Sequence, residues 1–322
     1  MISRRHVLAG LGTVFLPGKL RAQQAKVFRI GVLETTPIEG NVNFEVFRRT
    51  LSELGYQKNL AFEYRSSYGR NERFAELARE LVRLKVDLIL TRGTPASLAA
   101  KAATRTIPIV TTAASDPVRT GLVASVARPG GNVTGFDPFA SELTTKRVEL
   151  IRETLPAATK IGGLADMSNP VNHFSWKESE AAARSRGIEY RRLDVAKADD
   201  IAPAFEAAAK QHLDALTMSM DGIMGANVKM FVQLAAKHRL MAVYASREFV
   251  DAGGLMSYAV DYRHLYARAA NYVDRIFKGT KPGDLPIEQP TKFELIINLK
   301  TANALGVTIP PSVRLRADEL IE

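Results

Sequence analysis

Residues able to do chemistry are gathered in a few short loops. They are Glu34-Thr35-Thr36, Thr91-Arg92-Gly93-Thr94-Pro95, Ala114-Ser115-Asp116-Pro117, Asp166-Met167-Ser168-Asn169, Met220-Asp221-Gly222 and Ala245-Ser246-Arg247-Glu248. Glu34, Asp116, Asp166 and Asp221 could form an acid/base pair, a chemistry that would also call for a nucleophile or a metal. The chain has no cysteine, which removes thiolate chemistry, disulfides and lipid-modified cysteine anchors. It contains no G-x-S-x-G elbow, no G-x-x-x-x-G-K-[ST] loop and no G-x-G-x-x-G fingerprint. The five histidines, His6, His173, His212, His238 and His264, show no i, i+4 pairing, which argues against a metal site. Small polar loops of this kind suit holding a ligand without reacting with it. The 91–95 turn adds a helix start, whose free N–H groups favour an anion.

The elements that position these loops alternate regularly, and the alternation repeats. Short apolar strands are predicted at 28–33, 61–65, 86–90 and 107–110, with helices at about 43–54 and 73–84. The second half runs through the same series. Strands are predicted at 160–164, 188–192, 213–217 and 240–244, and helices at 174–185, 201–211 and 228–238. Apolar strands alternating with amphipathic helices imply parallel sheets covered on both faces. Two such units in tandem predict an α/β protein of two doubly wound, Rossmann-like lobes. Ligands of such sheets bind beyond the C-terminal strand ends, so the polar loops should face one another across a cleft. The glycine-rich run 128–135 follows a helix and reads as a turn crossing between lobes.

The chain is 322 residues long and carries a net charge of +10. Residues 1–22 take Arg4, Arg5, Lys19 and Arg21 from the 44 basic residues and nothing from the 34 acidic ones, leaving +6 on the remainder. Those charges are scattered among acids, and the densest cluster, Arg184, Arg186, Arg191 and Arg192, reads as a solvated helix end and strand. Nucleic acid is therefore not an expected partner. Residues 1–22 follow the order of an export signal: charged Arg4-Arg5, an apolar run 7–16, then the small-residue site Leu20-Arg21-Ala22. The apolar run is too short for a bilayer span, which needs about 20 residues. The adjacent arginines fit the twin-arginine route, and a periplasmic location is expected.

Longer stretches carry a resemblance. These are Glu80-Leu81-Val82-Arg83-Leu84-Lys85-Val86-Asp87, Gly93-Thr94-Pro95-Ala96, Asp116-Pro117-Val118, Gly121-Leu122-Val123-Ala124-Ser125, the run 127–135, the run 247–258, and the tail segments 289–300 and 305–310. Together they resemble the substrate-binding component of bacterial ABC importers, in the tryptophan/tyrosine-type family, over about residues 27–322. The resemblance implies a type I periplasmic-binding fold with three interlobe crossovers. It implies a first lobe of 27–138 plus 257–281, containing the 262–277 helix, and a second lobe of 139–256 plus 282–322. It further implies a non-enzymatic monomer without cofactor or metal, whose partners are a small-molecule ligand and a membrane permease with its cytoplasmic ATPase. A ligand-sensing module for a membrane receptor, and an enzyme on the same fold, are the alternatives.

Within that frame Thr94 is expected to cap the helix at Pro95, while Gly93 lets a carboxylate approach the free N–H groups, with Thr35 or Thr36 assisting. Asp116, beside Ser115, either receives an ammonium group or caps a helix after Pro117. Ser168, Asn169, Asp221 and Ser246 complete the cleft from the second lobe. Arg247 either grips a carboxylate or ties loops together. Tyr258 either stacks on an aromatic ligand or packs at the hinge. Where many relatives carry a Trp-Asn-Pro-x-Asn-Pro run, this chain has Ala165-Asp166-Met167-Ser168-Asn169-Pro170, which removes a stacking surface. Asp166 and Asp221 add negative charge that would favour a cationic or hydroxyl-rich ligand portion.

Overall fold

A computed structural model describes residues 26–138 and 140–322, so the export-signal reading of 1–22 lies outside the described residues. The first lobe is a five-stranded parallel sheet. Its strands are β1 (Phe28–Glu34), β2 (Leu60–Ser66), β3 (Leu88–Thr91), β4 (Ile109–Thr111) and β5 (Val133–Gly135), in the order β2-β1-β3-β4-β5. The second sheet holds β6 (Lys160–Ala165), β7 (Glu189–Asp194), β8 (Ala215–Met218), β9 (Met241–Tyr244), β10 (Met256–Ala259), β11 (Glu294–Asn298) and β12 (Glu319–Ile321), in the order β12-β11-β10-β9-β8-β6-β7. Read from β7, that sheet repeats the order of the first, with β11 added antiparallel to β10. The duplicated α/β reading of the sequence therefore holds, and five of its helices fall within a few residues of expectation.

Side chains alternate along each buried strand, as period-2 geometry requires. Ile30 and Val32 face one side of the first sheet, with Phe44 and Phe47 of the Val42–Glu53 helix. Leu33, Ile89 and Ile109 face the other, against Phe74, Leu77 and Leu81. The second sheet is covered on both faces in the same way.

Two expectations are corrected. The 128–135 run is not a turn between lobes: Val133–Gly135 pairs with β4 as the edge strand of the first sheet. Three residues ending in glycine carry too little periodicity to announce a strand. Gly135 has φ +138°, and a Cβ there would lie 2.0 Å from the Thr111 carbonyl oxygen, so glycine is required for this edge to close. Second, no helix follows Pro117. Residues 117–124 form turns, and Asp116 sits in the left-handed region at φ 50°.

The chain passes between lobes near residues 138, 260 and 289. The Tyr262–Phe277 helix packs on the Val42–Glu53 helix of the first lobe. Because β10 is paired with β9, residues 257–259 belong to the second sheet. Residues 282–288 stay with the first lobe, where Leu285 is in the core and Glu288 bridges to Phe136.

Candidate functional site

The C-terminal ends of β1, β3 and β4 face those of β6, β8 and β9 across a narrow cleft, and the lobes touch. Asn71 of the first lobe donates to Asp166 Oδ2 (2.7 Å) and to Ser168 Oγ (3.0 Å) of the second. Asn43 donates to Glu248 Oε1 at 3.2 Å, and Arg119 pairs with Glu178 at 2.9 Å. Gly222 lies against Thr35 so closely that a Cβ would come within 2.8 Å of the Thr35 methyl. This is the closed arrangement of the two lobes.

Inside the cleft, the turn after β3 is built differently from expectation. Gly93, at φ 87°, is the N-cap of the Thr94–Ala103 helix, and the Thr94 side chain makes no cap. The Thr94 hydroxyl instead donates to the Ser115 carbonyl at 3.3 Å, joining the β3 and β4 loops. With Pro95 lacking an N–H, the first-turn N–H groups of Thr94 and Ala96 have no intrahelical partner. Gly93, Thr94, Ser115, Asn169 and Asp221 all line the same cavity, of about 60 Å³.

Two buried guanidinium groups line that cavity as well, Arg92 and Arg147. Arg92 lies over the Tyr262 ring, 5.2 Å from its centroid, and its Nη2 is buried without a hydrogen-bond partner. Burial opposes the Arg92 charge, but Tyr266, Glu34 and Glu248 outweigh it and hold the pKa above the usual arginine value. Arg147 comes from the Ala140–Thr154 helix. Its Nε donates to the Tyr258 carbonyl (3.0 Å) and its Nη1 to Thr144 Oγ1 (3.2 Å). Burial pulls its pKa down to about 10, and only tyrosines act in the opposite direction. Neither arginine has a carboxylate within 4.0 Å among the described residues. For Arg147, whose charge burial disfavours, this is costly until an anion arrives.

The acids of the cleft are mostly spent on one another's loops. Asp221 accepts from Asp166 N (3.0 Å), Asn169 Nδ2 (2.7 Å), Asn172 Nδ2 (2.7 Å) and the Ser219 hydroxyl. It is a hub that fixes the second-lobe loops, with both oxygens engaged. Asp166 accepts from Asn71 and from Ser168 N, and burial, with Asp221 adding, raises its pKa. Asp116 accepts from Ser141 (2.7 Å) and Arg119 (3.4 Å), and no helix follows it to be capped.

Four more expected residues lie away from the main cavity. Arg247 pairs with Asp251 and Glu319, both at 3.1 Å, which is the loop-tying arrangement. Ser246 is fully buried and its hydroxyl has no partner. The Tyr258 ring packs near Phe293, with centroids 6.2 Å apart, against both the first-lobe and second-lobe cores at the hinge. Thr36, its hydroxyl accepting from Asn41 at 3.3 Å, lines an adjoining chamber with Arg92.

The aromatic ring in the cleft is that of Tyr262, four residues beyond the one expected. Sequence reading also passed over Arg147. A signal was present: Arg147 falls on the apolar stripe of its helix with Leu143, Leu150 and Ile151, where a buried charge is rare without a purpose.

This architecture has matches among known proteins. Residues 41–321 match the family described as ABC transporter substrate binding protein. The chain belongs to that family. It is 27% identical over 263 residues to a protein named tyrosine-binding protein from Clostridioides difficile, covering 81% of this chain and 75% of that one. Two crystal structures superpose with a TM-score of 0.84. One is an ABC domain from Streptococcus pneumoniae in complex with L-Trp, 27% identical, covering 91% of this chain and 99% of that one. The other is a conserved domain protein from Vibrio cholerae, 28% identical, covering 92% and 100%. The chain is thus the extracytoplasmic solute-binding component of an ABC import system, a class that carries its ligand and is not defined by a reaction, and a cognate permease and ATPase go with it.

Proposed function

We propose that the chain captures a small carboxylate-bearing molecule, an amino acid or an aromatic or organic acid, by closing its lobes around it, and delivers it as a monomer to its permease. The observation that carries this reading is the pair of buried guanidinium groups, Arg92 and Arg147, on one cavity, neither in an ion pair among the described residues. The N-terminus of the Thr94–Ala103 helix adds a second attraction for an anion, worth about 0.3–1 kcal/mol and more when partly buried. Tyr262 offers a ring where the 165–170 loop lacks one. The tyrosine and L-Trp named for two relatives are carboxylates of this size. Arg4-Arg5 would direct export to the periplasm by the twin-arginine route, which exchanging both for lysine would block.

The experiment is a thermal-shift screen of the mature protein against amino acids, including tyrosine and tryptophan, aromatic acids, other small carboxylates and neutral sugars. A ligand at 100 times its dissociation constant adds about 2.7 kcal/mol of stability. Carboxylates should raise the melting temperature. A shift produced by neutral sugars and by no acid would overturn the reading.

A further inference from the structure

Gly225 has no backbone reason to be glycine. It is the fourth residue of the Gly222–Ala226 helix, its N–H donates to the Asp221 carbonyl at 3.1 Å, and its φ lies outside the left-handed region. Glycine within a helix is less favourable than alanine. Tight packing does not demand it either, as it does at Gly222, where a Cβ would come within 2.8 Å of the Thr35 methyl. A Cβ at 225 would meet two side-chain methyls, Met220 Cε at 3.3 Å and that of Thr36 at 3.9 Å, and no backbone atom within 4 Å. What the missing side chain leaves open is space. Gly225, Met220 and Thr36 all line a chamber of about 280 Å³ between the lobes.

That chamber adjoins the arginine cavity, because Arg92 and Met220 line both. The arginine cavity is the smaller, about 60 Å³ against about 280 Å³. A carboxylate held at the arginines therefore has its larger free space past Met220, where Pro37 and Val42 of the first lobe share the wall with Val228 of the second. We infer that Gly225 is a specificity-determining residue. The body of the cargo enters the chamber, and the absent side chain sets how bulky that body can be. The favoured cargo is then a carboxylate with a bulky, partly apolar body, and short acids are poor ligands. The inference rests on the carboxylate reading and adds to it a size limit and the residue that imposes it. Met220, unbranched and easily repacked, is the part of the wall that adapts to the body it meets.

The test is a size series measured by calorimetry on the native protein, Gly225→Ala and Gly225→Leu. The probes are L-alanine, L-leucine, L-tyrosine and L-tryptophan, and the corresponding acids propionate, 4-methylpentanoate, 3-(4-hydroxyphenyl)propionate and indole-3-propionate. Native affinity should rise with the size of the body. Gly225→Leu should weaken the bulkiest native ligand by about fivefold to a hundredfold, the range expected for overpacking a site, and a smaller acid should overtake it. Gly225→Ala should do the same to a lesser degree, while its unliganded melting temperature is no lower than that of the native protein, since alanine favours the helix. Unchanged binding of the bulkiest ligand by Gly225→Leu overturns the assignment. So does an equal loss across the series, which would mean that the new side chain only obstructs closure, or a native preference for the shortest acids. Each of these leaves the carboxylate reading standing, whereas failure of every acid on the native protein overturns both. Should Gly225→Leu not fold, the size dependence in Gly225→Ala decides.

Discussion

Asn71 and Asp166 meet across the cleft at 2.7 Å, one from each lobe, at the mouth of the site. This contact exists only when the lobes are shut, so it stabilises the closed form over the open one. Asn71→Ala should lower ligand affinity about tenfold, the equivalent of ~1.4 kcal/mol taken from closure. Calorimetry gives the affinity, and small-angle scattering of the unliganded variant should show no smaller a fraction of open molecules than the native protein. An unchanged affinity would mean that the contact forms after the ligand is already committed.

Arg147 is buried against its own electrostatic interest. Replacing it with methionine should leave the melting temperature of the unliganded protein within a few degrees, since the lost bonds to Tyr258 and Thr144 are offset by removal of an uncompensated charge. Carboxylate binding should fall about a hundredfold or more. A large loss of unliganded stability with intact binding would make Arg147 a structural residue.

Gly222 is a point of close approach between the lobes. A branched side chain there would collide with Thr35 in the closed form and meet solvent in the open one. Gly222→Val should therefore preserve the circular dichroism spectrum and cooperative unfolding, yet abolish the ligand-induced contraction seen by scattering. Contraction equal to that of the native protein would show that the loops can part without loss.

Glu34 is fully buried, and burial raises its pKa above 4.5 despite the opposing pull of Arg92 and the hydrogen bonds from Tyr266, Thr35 and Asn41. A carboxyl whose pKa is higher in the folded protein than in the unfolded chain binds its proton more tightly when folded. Its ionised form therefore subtracts stability above the folded pKa, and the loss fades as pH falls through that value. The native protein should accordingly gain stability relative to Glu34→Gln as pH is lowered toward the ordinary carboxylate range, measured as the difference between their melting temperatures. A difference moving the other way would mean that Arg92 holds Glu34 as an anion.

Much of this was legible in the sequence, and the limits have physical causes. β1, β3, β6 and β8 are buried on both faces and read as apolar runs, so both lobes and the loops at their strand ends were found. β5 was missed because three residues carry no period. Gly93, Thr94, Ser115, Asn169 and Asp221 do meet on one cavity, but hydrogen-bond bookkeeping, which a sequence does not contain, decides which of them are free. Thr94 and Asp221 turn out to be spent on neighbouring loops. Arg147 and Tyr262 were passed over for a different reason. They reach the cleft from helices whose placement depends on how the chain crosses between lobes, and pairing strand-end loops does not reveal that.

The return of the Tyr262–Phe277 helix to the first lobe also bears on how the protein is made. When a ribosome has delivered residues 26–138, all five strands of the first sheet exist, but the face carrying Ile30, Val32 and Leu88 still lacks Leu265, Tyr266, Ala269 and Val273. That half of the core is completed only after β6 to β10 have been synthesised. The second sheet in turn waits for β11 and β12, so each lobe depends on residues delivered late, and non-local contacts of this kind slow folding. A chain cut short at residue 260 would leave both cores unfinished.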